Sequence, residues 1–230
     1  MAAAFRVVKR FFLHNQTIEP TQVAGFNQFF DEMNGTYFWR YGFALDQKIT
    51  KNLFGGAEYS WRRITTSYVD LSGINEYADW KENLFRAYLN WAPHSLLALS
   101  AEYQYERLDR DVADPGLEMI SKLITQRVPL AANVFHPSGI YAQLKGTYVW
   151  QDGHFFNQDL HPIIIEYVFG KDSFWVFDAF LGYRLPNRWG AITVGVKNMF
   201  DEKFHFQDTD PANPNITPER FVYTRLTLNF

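Results

Sequence analysis

SFWVFDAFLGYRL, residues 173 to 185, decides the fold. From Trp175 onward its odd positions are Trp175, Phe177, Ala179, Leu181, Tyr183 and Leu185, all apolar. The even positions include Phe174, Asp178, Gly182 and Arg184. Successive side chains of a strand point to opposite faces. This alternation therefore predicts a strand lying between two different environments.

The same test succeeds on both sides of it. Downstream, Ile192, Val194, Val196 and Phe200 oppose Thr193, Gly195 and Lys197. Upstream, segments 138–151, 95–106, 83–91, 53–62 and 37–46 each divide into an apolar and a polar set. Two segments are less regular: 119–134 contains Pro129, which removes a ladder donor, and 4–13 carries Lys9 among Phe5, Val7, Phe11 and Leu13. With the closing segment, ten strands are predicted. Short links near 47–51, 92–94, 135–137 and 186–189 alternate with long ones near 14–35, 66–76, 108–118, 152–172 and 201–218. All short links then fall at one end of an up-and-down sheet, as in outer-membrane barrels with their short periplasmic turns.

Composition narrows the environment. Aromatic residues make up 18% of the 230, yet mean hydropathy is −0.27. No run approaches the ~20 apolar residues of a membrane helix. A transmembrane β-barrel combines these properties, because only alternate residues meet lipid and aromatic girdles mark both interfaces. The formal charge of −3 argues against nucleic acid as a partner, and the absence of cysteine excludes thiol chemistry and Cys-ligated zinc. A soluble sandwich also alternates, but its strands run to about 5–6 residues. Most segments here are longer, with Trp39, Trp61, Trp91, Trp150 and Trp175 near their ends.

The expectation is an all-β, antiparallel transmembrane β-barrel of about ten up-and-down strands over residues 1–230. It is either self-contained or part of a larger barrel, in the outer membrane of a Gram-negative cell, with the lipid bilayer as solvent. The polar face would line the lumen. It carries Arg40, Glu58, Arg62, Arg86, Glu102, Lys145, Asp178, Arg184, Lys197 and Arg225, and the same reading puts Arg6 and Arg10 there. Asp46, Glu82, Glu106 and Arg127 fall on the same face, so both signs are well represented and no strong ion selectivity is expected. At the other end of the chain, MAAAFRVVKRFFLHNQ is not a secretion signal, because basic residues interrupt its apolar ones. Either a signal has been removed or the chain is a piece of a longer one.

Two stretches carry a resemblance. GVKNMFDEKFHFQD (195–208), with Asn198, Phe200 and Asp201, resembles the Asn-x-Phe-Asp signature of TonB-dependent outer-membrane receptors. The closing segment, with Val222, Leu226, Leu228 and Phe230 at alternate positions, resembles the terminal signal read by the barrel-assembly machinery. The first resemblance implies the C-terminal part of a receptor barrel that takes up a scarce small-molecule ligand, such as an iron chelate. Its partner would be TonB, reached through a plug domain for which this chain has no α/β region. The residues 15–31 read as an outside loop entering the next strand.

Other readings remain open: a small self-contained porin, or a rim hydrolase of omptin type. For the latter, Asp152, His154, Asp159 and His161 share one loop, and His205, Asp208 and Asp210 another. A His beside a carboxylate can act as a general base, and such groups suit transition metals. Neither stretch reproduces an omptin motif, and mixed acidic and His residues are ordinary in solvated loops. The expectation is therefore no catalytic site, no metal and no cofactor.

Overall fold

Ten long or medium strands lie side by side in chain order. The computed structural model describes residues 1–8, 22–23, 26–27, 36–69, 72–110, 122–156, 167–206, 216 and 219–229. The strands are β1 (Ala2–Val8), β4 (Tyr37–Lys48), β5 (Leu53–Val69), β6 (Asn75–His94), β7 (Leu97–Arg110), β8 (Lys122–Phe135), β9 (Ile140–Phe156), β10 (Tyr167–Arg184), β11 (Gly190–Lys197) and β12 (Phe221–Leu228). Separately, β2 (Gln22–Val23) and β3 (Phe26–Asn27) pair antiparallel in a two-stranded sheet. The only helical turn among the described residues is Pro186–Arg188, in the link before β11. Every neighbouring pair in the ten-stranded sheet is antiparallel. The protein is all-β, with one up-and-down sheet.

The sheet is not closed. Among the described residues β1 pairs only with β4 and β12 only with β11. This open arrangement is compatible with part of a larger barrel.

Several strands outrun the alternation that predicts them. The ladder between β5 and β6 continues to Val69 opposite Asn75, so most of the expected long link at 66–76 is strand. Likewise β9 and β10 pair as far as Phe156 opposite Tyr167, within the expected loop at 152–172. In these extensions polar and apolar residues mix on both faces, so the period-two signal fades while backbone pairing continues.

The register settles which residues share a face. All ten polar-face residues named above from Arg40 to Arg225 fall on one side, here called the inner face. β1 is the exception. Phe5 pairs with Arg40 and Arg6 with Trp39, so Arg6 lies on the outer face, with its guanidinium 5.2 Å from the Tyr37 ring centre. Val7 instead turns inward and packs on Phe38, Ile64, Ala78 and Trp80. That small inner cluster reverses the usual polarity at this level, which explains why the expectation for Arg6 fails. Arg10 lies outside the described residues.

Glycine opposite tyrosine recurs on the inner face. Gly182 pairs with Tyr141, whose ring lies across the glycine and whose hydroxyl meets the Thr193 hydroxyl at 2.7 Å, one strand further on. A β-carbon at 182 would overlap the ring. Gly182→Ala is therefore expected to lower stability by about 1–3 kcal/mol, as overpacking does, whereas Tyr141→Phe should cost about 1 kcal/mol for one hydrogen bond. Denaturant unfolding of the two variants checks the order.

Candidate apolar belt and polar inner wall

The burial pattern is inverted. The inner face buries Arg40, Ser60, Arg62, Glu82, Glu106 and Gln151, with Arg40 only 1% exposed. The outer face exposes Trp39, Leu89, Leu144, Trp175, Leu181 and Val194, with Leu144 53% exposed. A water-soluble sheet buries its apolar face, because that is where burial is favourable. Here the inner face shelters polar residues together with apolar ones, and the outer face leaves its apolar residues bare.

The bare residues form a belt with two borders. On β5 the outer positions Leu53 to Trp61 are apolar or glycine, and the next are Arg63 and Thr65. On β7 the run is Leu97 to Tyr105, followed by Arg107 and Asp109; on β10 it is Tyr183 back to Trp175, followed by Ser173 and Lys171. On β9 it is Ile140 to Trp150, followed by Asp152. Runs of this length extend about 26–33 Å along a strand rising ~3.3 Å per residue.

Aromatic rings collect at the upper border. Tyr41 stacks on Trp61 at 5.2 Å, and Tyr148 meets Trp175 at 5.4 Å. Two border tyrosines aim their hydroxyls at the first polar residues above them. Tyr59 donates to Asn83 Oδ1 and Tyr103 to Gln126 Oε1, both at 3.0 Å. Beyond the border, charges pair with one another: Arg107 with Asp109 at 2.7 Å and Lys171 with Asp152 at 3.2 Å. An apolar band ending in amphipathic rings and then in salt-bridged residues fits a surface that passes from hydrocarbon to water.

On the inner wall, arginine–carboxylate contacts step across four successive strand pairs. Arg40 lies 4.0 Å from Glu58 (β4–β5), and Arg62 meets Glu82 (β5–β6). Arg86 holds Glu102 through both Nε and Nη2 (β6–β7), and Arg127 reaches Glu106 at 3.2 Å (β7–β8). Arg40 also donates to Ser60 Oγ at 2.9 Å. Buried charges survive only when paired and hydrogen-bonded, and this ladder supplies both conditions. It ends at β8. On β9–β12 the inner cations are Lys145, Arg184, Lys197 and Arg225, and the inner carboxylates on the described residues of these strands are Asp172 and Asp178. Both of these carboxylates are already engaged by backbone N–H groups, from His205 at 2.6 Å and Asn198 at 2.9 Å. The near balance of signs along the chain thus conceals a neutral wall followed by a cationic one.

Asn198 and Asp201 build a clasp. Asn198 adopts φ 45°, and its side chain both donates to and accepts from the Glu202 backbone, at 3.0 and 2.9 Å. Asp201 accepts the Arg220 backbone N–H at 3.0 Å, joining the start of the long excursion after β11 to its return. Phe200 packs edge-on against Phe177 on the outer face, while Phe204 stacks on inner Phe174 at 4.1 Å. The three motif residues therefore have structural partners in this fold.

The Arg220 N–H, and after it the Lys203 ammonium 3.3 Å away, hold the Asp201 carboxyl below its usual range. A lowered folded pKa means the clasp contributes stability above the ordinary aspartate value of about 3.9 and loses it as pH falls through the lower folded value. Protection of the Arg220 amide against hydrogen exchange is expected to persist at pH ~4 and to collapse only below it. In Asp201→Ala that protection should be lost at every pH.

The closing segment places Val222, Leu226 and Leu228 on the exposed outer face, with Tyr223 and Arg225 opposite. Phe230 lies outside the described residues. Of the candidate rim residues, Asp152 pairs with Lys171, and His205 Nδ1 stands 3.9 Å from Asp172. Asp159, His161, Asp208, Asp210 and the side chain of His154 lie outside the described residues. Among the described residues no three His or carboxylate groups converge. Sequence reasoning finds the charged face but not the ladder, the clasp or the glycine–tyrosine pairs. The stagger of Arg86 and Glu102 becomes a contact only once register is known. No protein-family model, curated protein or solved structure matches this chain.

Proposed function

We propose that the chain forms a wall of an outer-membrane β-barrel, the C-terminal segment of a TonB-dependent-receptor-like transporter that takes up a scarce ligand. The observation that carries the membrane part is the inverted burial: an exposed apolar belt over a sheltered, ion-paired face. Its nine to eleven residues per strand match the ~9–11 that a tilted strand needs to cross hydrocarbon. Lipid would cover the belt, and the barrel-assembly machinery would receive the alternate apolar residues of β12.

The receptor part rests on the Asn198–Phe200–Asp201 motif and on the open sheet. Ten strands that leave both edges unpaired fit a segment of a wider, plugged barrel of about 22 strands. The small-porin reading would instead have β1 and β12 pair, and nothing in the register favours it. The coding sequence preceding Met1 tests the receptor reading. Roughly twelve further strands, a plug domain and a TonB-binding motif are expected there. A signal peptide directly abutting these ten strands would contradict it.

A further inference from the structure

Where the ion-pair ladder ends, Arg127, Lys145, Thr147, Asp178 and Lys197 line a cavity of about 170 Å³, with Ile216 along one side. By the same measure a single water needs about 10–15 Å³, so the space admits a small solute. Three cations meet one carboxylate there. Lys145 is the register partner of Asp178, yet that carboxylate accepts the Asn198 N–H. Neither Lys145 nor Lys197 has an ion-pair partner among the described residues. Arg127 gives Nη2 to Glu106, while its Nε is buried with no acceptor. The Thr147 side chain is buried beside them. Buried donors are normally satisfied, and with Glu106 on Arg127 the two lysines still share a single lining carboxylate, Asp178.

We propose that this cavity binds a small oxyanion, a carboxylate or phosphate group, through the Lys145 and Lys197 ammonium groups and the Arg127 Nε–H. Such charge-assisted bonds are the strong class, and one anion would satisfy the orphaned donor and neutralise the lysines together. The site needs only the inner face. It therefore stands apart from energised uptake, and binding in detergent would survive a failure of the receptor reading.

Isothermal titration of inorganic phosphate, and separately of succinate, into the full chain folded in lipid-free detergent at low salt tests it. At least one probe should bind saturably at one site. Lys145→Gln with Lys197→Gln should weaken that binding at least about tenfold, while Lys171→Gln on the outer face should leave it unchanged. The double variant should still fold without ligand, since Lys197 is exposed and Asp178 keeps the Asn198 N–H. Should it fail to fold, Lys145→Gln alone carries the test, with severalfold weakening expected. Absence of saturable binding of both probes to the wild type, or equal affinity in the lysine variants, would overturn the proposal.

Discussion

Leu144→Arg is expected to destabilise the protein in lipid vesicles by about 2–4 kcal/mol. Leu144 sits midway along the outer run of β9 and is 53% exposed. If water surrounded it, an added charge at such a site would change stability by about 0.5 kcal/mol or less. The two environments thus give opposite expectations for one substitution. The cost should fall with height: Gln126→Arg, above the aromatic border on β8, should cost about 0–1 kcal/mol, because a guanidinium there reaches water. Urea unfolding in vesicles of uniform lipid measures both variants on one scale.

Glu82→Ala is expected to cost about 3–5 kcal/mol, the range for removing one partner of a buried pair. Arg62 and Glu82 are 2% and 3% exposed, and Arg62 is the register partner of Arg40. Without Glu82, the Arg40 and Arg62 guanidinium groups would face each other across the wall with the nearest carboxylate of Arg62 removed. The loss comes mainly from the stranded cation rather than from the strength of the pair. Arg62→Met with Glu82→Leu should therefore recover most of the stability, since apolar replacements of similar volume remove both desolvation costs. A double-mutant cycle separates the coupling from the single losses. Equal destabilisation by the single and double changes would show that the pair itself stabilises the wall.

The clasp offers a smaller effect with a local readout. Asn198→Ala removes two hydrogen bonds and places alanine at φ 45°, where asparagine is better tolerated. A loss of about 1–3 kcal/mol follows, visible as faster proteolysis between Asn198 and Arg220. Asn198→Gly keeps the backbone free of strain and should lose less.

Much of this architecture is legible in the sequence, for an identifiable reason. Between Leu53 and Trp61, or Trp175 and Tyr183, every outer position is apolar or glycine while the inner ones include Glu58, Ser60 and Asp178, so the period of two can be read directly. Above the belt that contrast ends. Arg63, Thr65, Lys81 and Asp79 pair across β5 and β6 as regularly as the residues below them, but nothing in their polarity marks a strand. β1 misleads for the opposite reason, because Val7 joins an apolar cluster on the polar side. The cavity is harder still. Lys145, Asp178 and Lys197 read as scattered inner-face charges until the fold places all three around one cavity. Which carboxylate a lysine meets depends on geometry that composition does not encode.

The central claim is that the odd positions of β10 from Trp175 to Tyr183 meet lipid. Nitroxide labels placed singly from 174 to 184, in protein reconstituted into vesicles, measure this through collisions with oxygen and with a water-soluble nickel chelate. Oxygen accessibility should peak at 175, 177, 179, 181 and 183, and fall at the even positions between them, with the nickel chelate excluded from the odd set. High nickel accessibility at the odd positions, or no alternation across the strand, would contradict the account.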